Sequence, residues 1–132
     1  MERILITNMA RRSDKRLENP PVEAVVIEKE ESHKAEIVNL CRVGLRFKSD
    51  VQCSKGDKLS FELRSVGDAP NLSVDIKGRV VNDYGDGSDG IFERGVRFYS
   101  MQWHDMNMLH DFVYACEKRR NQGQGAGARR VP

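Results

Sequence analysis

"KLSFELRS", residues 58–65, decides the fold class. Leu59, Phe61 and Leu63 fall on one side of an extended chain, and Ser60, Glu62 and Arg64 on the other. A period of two with one apolar side describes a half-buried strand. The same pattern extends upstream. "VEAVVIEKE" (22–30) is rich in β-branched residues, "HKAEIVNL" (33–40) comes after a short polar turn, and "GLRFKS" (44–49) alternates Leu45 and Phe47 with Arg46 and Lys48. Downstream, "LSVDIKGRVVND" (72–83) alternates Leu72, Val74, Ile76 and Val80, and Gly78 occupies an inward position where a bend or bulge is expected. "YGDGSDG" (84–90) has turn composition, and "IFERGVRFYS" (91–100) is a sixth strand with Phe92, Val96 and Phe98 on one side.

After residue 100 the period lengthens. Met106, Leu109, Val113 and Cys116 recur every three or four residues, with Trp103 and Phe112 beside the stripe. That spacing predicts an amphipathic helix over 101–121, capped by Ser100 and ending on Lys118, Arg119 and Arg120, which complement the helix dipole. Residues 122–132 hold no core former beyond Val131 and are expected to be a disordered tail. Residues 1–21 show no sustained period, and Pro20-Pro21 stops any helix, so they read as a flexible basic arm. The domain plan is an arm (1–21), a β-domain (22–100), a helix (101–121) and a tail (122–132). Six short strands and one helix make a mainly β fold, an antiparallel barrel or sandwich with a helix packed on it. A small barrel is filled by its own side chains, so a ligand site belongs outside it, on strand ends, loops or the arm.

Bulk properties narrow the function. The 132 residues fit one domain, and 39% hydrophobic with 32% charged residues fits a soluble globular chain. No apolar run is long enough to span a membrane, and "MERILITNMA" is too short and polar for a signal peptide. Three cysteines without a CxxC pair, Cys41, Cys53 and Cys116, predict reduced thiols in a cytoplasm. The histidines His33, His104 and His110 are not spaced as metal ligands. The net charge of +2 is uneven: residues 1–20 carry +2, 117–132 carry +4, and 21–116 therefore carry −4. Basic ends on an acidic body suit a small anion held at one edge, or a protein partner, better than duplex DNA. The phenylalanines fall on the core side of their strands, so the stacking face of a nucleic-acid-binding barrel is not provided by them. GxxxxGKS/T, HExxH and GxSxG are all missing, and nothing supports an enzyme.

Two clusters bear on a ligand. In "ARRSDKRLENPP" (10–21), Arg11, Arg12, Lys15 and Arg16 outnumber Asp14 and Glu18. Arg12 and Arg16 form RxxxR, two forked guanidinium groups that can each bond two phosphate oxygens or the O6/N7 edge of guanine. Taken alone, the run also fits a solvated basic tail or a nucleic-acid patch. In "NLCRVG" (39–44), at the turn between the second and third strands, Asn39 carries both donor and acceptor and Gly44 permits positive φ or close backbone approach. Asn and Gly are also ordinary turn residues.

RxxxR with D/N-x-S-x-x-G twenty to thirty residues later resembles the PilZ domain signature. "RSDKR" (12–16), "NLCRVG" (39–44) and "GVRF" (95–98) carry the resemblance, which covers most of 10–118. It implies a six-stranded antiparallel β-barrel with a C-terminal helix, a single domain over 10–121. It also implies a cytoplasmic bacterial receptor that binds cyclic di-GMP without chemistry and needs no cofactor. Its site residues would be Arg12, Arg16, Asn39, Cys41 and Gly44, with Arg11 as a further candidate and Arg42 more simply solvated. Cys41 departs from the motif's serine, and a thiol is the weaker donor and acceptor, worth about one hydrogen bond of order 1 kcal/mol. The resemblance leaves two readings of function: a receptor whose arm changes conformation on binding to regulate a partner in motility, pilus or biofilm-type signalling, or a degenerate adaptor that works through protein contacts alone.

Overall fold

The computed structural model describes residues 16–87 and 89–130, with side chains described as far as 121 in the C-terminal helix. Seven strands precede one helix: β1 (Leu17–Glu18), β2 (Val22–Glu28), β3 (Glu31–Cys41), β4 (Gly44–Ser49), β5 (Lys58–Ser65), β6 (Ser73–Asp86), β7 (Phe92–Ser100) and α1 (Trp103–Arg130). The sheet order is β1-β3-β2-β5-β6-β7-β4, and β3 also pairs with β4. That last pairing closes β2 to β7 into a six-stranded antiparallel barrel and leaves β1 outside the ring, on β3.

The alternation that marks the strands also fills the barrel. Leu59, Phe61 and Leu63 of β5 are buried, as are Val74, Ile76 and Val80 of β6 and Leu45 and Phe47 of β4. The rings of Phe47 and Phe61 meet edge to face, 5.1 Å apart between centroids. Gly78 sits at a register shift beside Lys77, and a Cβ there would lie 2.0 Å from the Val96 Cγ1, so the bend forces the barrel walls together. α1 lies against β6, β3 and β1, and its Leu109, Phe112, Val113 and Cys116 join the core.

Several boundaries differ from the sequence reading. The first hairpin turns at Lys29–Glu30, both with positive φ (49° and 69°), so β3 begins at Glu31 instead of after a turn at 31–32. Two positive φ values match the right-handed twist of the strands, a geometry usually supplied by Asn-Gly, which is why Lys-Glu concealed it. β6 runs through Asp86, into the stretch expected to be turn. Ser100 does not cap the helix, because it is still paired with Lys77, and the first helical hydrogen bond is accepted by Gln102. Met106 is exposed instead of lining the core, and Trp103, at 77% exposure, stands in solvent. Both precede Leu109, the first buried residue of α1, so they lie on the opening turn of the helix, before it settles on the barrel. The helical backbone continues through Arg130, past the expected end at 121, since three glycines weaken a helix without blocking it and no proline occurs before Pro132.

The arm expected over 1–21 falls partly outside the described residues. Its described end is fixed, not loose. Leu17 is 1% exposed and belongs to the core, and Glu18 pairs with Asn39. Asn19 takes positive φ to turn the chain, and Pro21 accepts a hydrogen bond from the Val66 N–H at 3.0 Å.

Candidate functional site

A bulge organises the site. Ile37 pairs with Phe47 and Asn39 with Arg46, so Val38 is the extra residue in β3. A bulge bends its strand and re-aims the residues beyond it. Before it, β3 pairs with β2; after it, β1 takes over, with Leu17 opposite Leu40 and Glu18 opposite Asn39. The Val38 carbonyl is not wasted, since it accepts the Asn19 N–H at 2.8 Å. The segment that carries Arg16 is therefore held along the outer edge of β3. There Arg16 Nη1 donates to Asn39 Oδ1 at 3.0 Å, joining two motifs 23 residues apart in sequence. Arg11 and Arg12 lie outside the described residues.

The second motif is less exposed than a turn would be. β3 extends to Cys41, so Asn39 stands inside a strand and is 7% exposed; the turn itself is Arg42–Val43. Cys41 is also buried, at 1% exposure. Gly44 has no positive φ. Its close approach is to β7: a Cβ at 44 would lie 2.3 Å from the Val96 carbonyl oxygen. The barrel alone thus demands glycine at this position. The structure brings Arg16, Asn39, Cys41 and Gly44 to one corner of the barrel, where β1, β3 and β4 adjoin.

Other charged residues around this corner are already engaged. Arg46, the cross-strand neighbour of Asn39, is bonded through Nε to Glu93, and its guanidinium lies 3.7 Å above the Tyr84 ring. Gly95 makes room for that stack, since a Cβ there would come within 3.0 Å of Tyr84 Cε2. On the other side, α1 reaches the arm. Arg120 donates through Nη1 to the Glu18 carbonyl and through Nη2 to the Asn19 carbonyl at 3.0 Å, so the helix clasps the segment that bears Arg16.

The sequence reading missed one buried cation. Arg94 donates to the carbonyls of Cys53 (2.9 Å) and Gly85 (3.0 Å) and pairs with Asp83 and Asp86, each at 3.0 Å. It fixes the β6–β7 hairpin to the loop before β5. Alternation through Phe92, Val96 and Phe98 already places position 94 on the inward side, so the signal was present. Burial pushes the neighbouring Cys53 thiol up to about 11, against the opposing pull of Arg94. Cys41, Cys53 and Cys116 are all free thiols. Among the described residues no cluster of His, Cys, Asp and Glu is arranged to hold a metal ion, and no helix is long and apolar enough to cross a membrane.

Comparison with known proteins agrees with this fold. The family model described as "PilZ domain" matches residues 10–115. Among solved structures, the inhibitor of motility MotI/DgrA of Bacillus subtilis superposes with TM-score 0.62 at 13% identity, over 80% of this chain and 49% of that one. The PilZ domain of YcgR from Escherichia coli, solved with c-di-GMP, gives 0.59 at 9% identity over 83% of this chain and 95% of that one. The Borreliella burgdorferi PlzA protein in complex with c-di-GMP gives 0.53 at 14% identity over 84% of this chain and 45% of that one. The chain spans about half the length of MotI/DgrA and of PlzA. No curated protein matches it significantly by sequence.

Proposed function

Because the chain belongs to the PilZ domain family, we propose that it is a receptor for cyclic di-GMP, which it binds without chemistry between the RxxxR segment and the β3–β4 corner. The observation that carries this reading is the 3.0 Å bond from Arg16 Nη1 to Asn39 Oδ1. It joins a forked cation to an amide that can both donate and accept, the two groups needed to meet a phosphate and a guanine edge together. Arg12, one helical turn or two strand steps from Arg16 in sequence, is the second arm of the clamp, and Arg11 a further cation beside it. Asn39, Cys41 and Gly44, all buried, form the floor of the corner that receives the base. Two of the structural neighbours were solved with the same nucleotide, which supports the assignment.

Regulation arises from the clasp of Arg120. The segment that carries Arg16 is bonded to β3 on one side and to α1 on the other. A ligand that repositions this segment changes the seat of α1, and with it the surface offered to a protein partner. Titration calorimetry tests the reading. Cyclic di-GMP binds and GTP does not compete at equal concentration, and Arg12→Ala or Arg16→Ala each weakens binding at least tenfold. Unchanged affinity in both variants rejects the clamp.

The buried thiol of Cys41, where the family motif has serine, favours one second reading: an adaptor that has lost the ligand and acts through protein contacts. A protein NMR spectrum without any shift on adding the nucleotide selects that reading.

A further inference from the structure

We propose that Arg97 is a second phosphate ligand of this site, on the far side of Gly44 from Arg16; the inference rests on the nucleotide reading above. Cys41 pairs with Gly44, Gly44 with Arg97, Arg97 with Arg79, and Arg79 with Lys58. Continuing the register of Leu17 opposite Leu40 by one step sets Arg16 beside Cys41. One row thus runs around the outside of the barrel from Arg16 to Lys58, with the side-chain-free Gly44 near its middle.

The far half of that row is three exposed cations, Arg97, Arg79 and Lys58, opposed directly across neighbouring strands. Like charges at such positions repel and destabilise the sheet. Among the described residues no carboxylate forms a salt bridge with any of the three, whereas Arg46, Arg64 and Arg94 are each paired. Lys58 and Arg79 share the Tyr99 ring, at 5.5 Å and 5.8 Å from its centroid. Among the described residues Arg97 meets neither acid nor ring, and it is the member of the row that borders Gly44.

The ligand's chemistry matches this layout. Cyclic di-GMP is one macrocycle with two phosphodiesters on opposite sides, each carrying a permanent negative charge. A clamp on one side alone leaves the second phosphate without a partner. Three interstrand steps separate Arg16 from Arg97, about 14 Å of surface, and both side chains are long enough to lean inward over Gly44. Arg16 then takes one phosphate and Arg97 the other. Arg46 is excluded from that role by Glu93 and Tyr84.

The test combines calorimetry with phosphorus NMR on the full chain. Free cyclic di-GMP is two-fold symmetric and gives one phosphorus resonance. Bound to the natural protein it gives two shifted resonances, and in Arg97→Ala one of them moves back toward the free position. The same variant loses at least tenfold in affinity, Arg97→Lys loses less, and Arg64→Ala, whose guanidinium pairs with Asp75 further along the sheet, binds as the natural protein does. Thermal unfolding of Arg97→Ala stays unchanged or rises, because repulsion from Arg79 is relieved. Unaltered affinity or an unaltered pair of bound resonances in Arg97→Ala overturns the second ligand while leaving the receptor reading intact. Failure of the natural protein to bind cyclic di-GMP overturns both.

Discussion

Gly44 rests against the Val96 carbonyl so closely that a Cβ at position 44 would come within 2.3 Å of the oxygen. The obstacle is backbone, which cannot rotate aside. Gly44→Ala must therefore push β4 away from β7 and weaken the pairing around Arg97, at a cost of about 1–3 kcal/mol. Thermal unfolding monitored by circular dichroism reads this as a fall of several degrees. An unchanged midpoint removes the structural demand for glycine.

Arg94 fastens the β6–β7 hairpin to the loop before β5. Arg94→Met keeps the volume and abandons the carbonyls of Cys53 and Gly85, which costs about 2–4 kcal/mol. Asp83 and Asp86 are half-exposed or more, so Asp86→Asn costs less than about 1 kcal/mol. Urea unfolding of the two variants separates these outcomes.

Cys53 makes stability depend on alkaline pH. Its thiol titrates near 9.0 when unfolded and at about 11 when folded, with burial as the main cause. The folded chain holds this proton where the unfolded chain has released it. The contribution, roughly 3 kcal/mol, is complete below pH ~9 and is lost as pH rises through about 11. Cys53→Ala flattens that part of the stability-versus-pH curve relative to the natural protein. Identical slopes in the two proteins would sink the assignment.

Cys41→Ser tests the departure from the family motif. The hydroxyl is the better hydrogen-bonding group, so cyclic di-GMP binding tightens by roughly fivefold, the equivalent of about 1 kcal/mol. Because the site is buried, stability changes in the opposite sense, by about 1 kcal/mol or less. Weaker binding in the serine variant means that the thiol is fitted to its surroundings.

Most of the barrel was legible because its strands alternate cleanly. Leu59, Phe61 and Leu63 fall inward where the pattern puts them, and Gly78 marks the bend it predicts. RxxxR and the corner motif could be joined only through a family resemblance, since spacing alone does not bring Arg16 to Asn39. The joint depends on the bulge at Val38, and no residue type in "EIVNL" announces a bulge. β1 was missed for a related reason: two residues between a basic run and two prolines carry no period, and the burial of Leu17 comes from tertiary contact. Met106 and Trp103 fit the helical pattern in sequence and lie outside the core, because burial along α1 begins only at Leu109, one turn later. The row from Gly44 to Lys58 was invisible, as it exists only once the barrel closes.

The burial of Leu17 has an evolutionary side. The same short segment that carries Arg16 to Asn39 also plugs the interior, one residue away. A lineage that lost Arg16 would still have to keep this stretch, or leave a leucine-sized hole beneath α1. Descendants should therefore replace position 16 more readily than position 17.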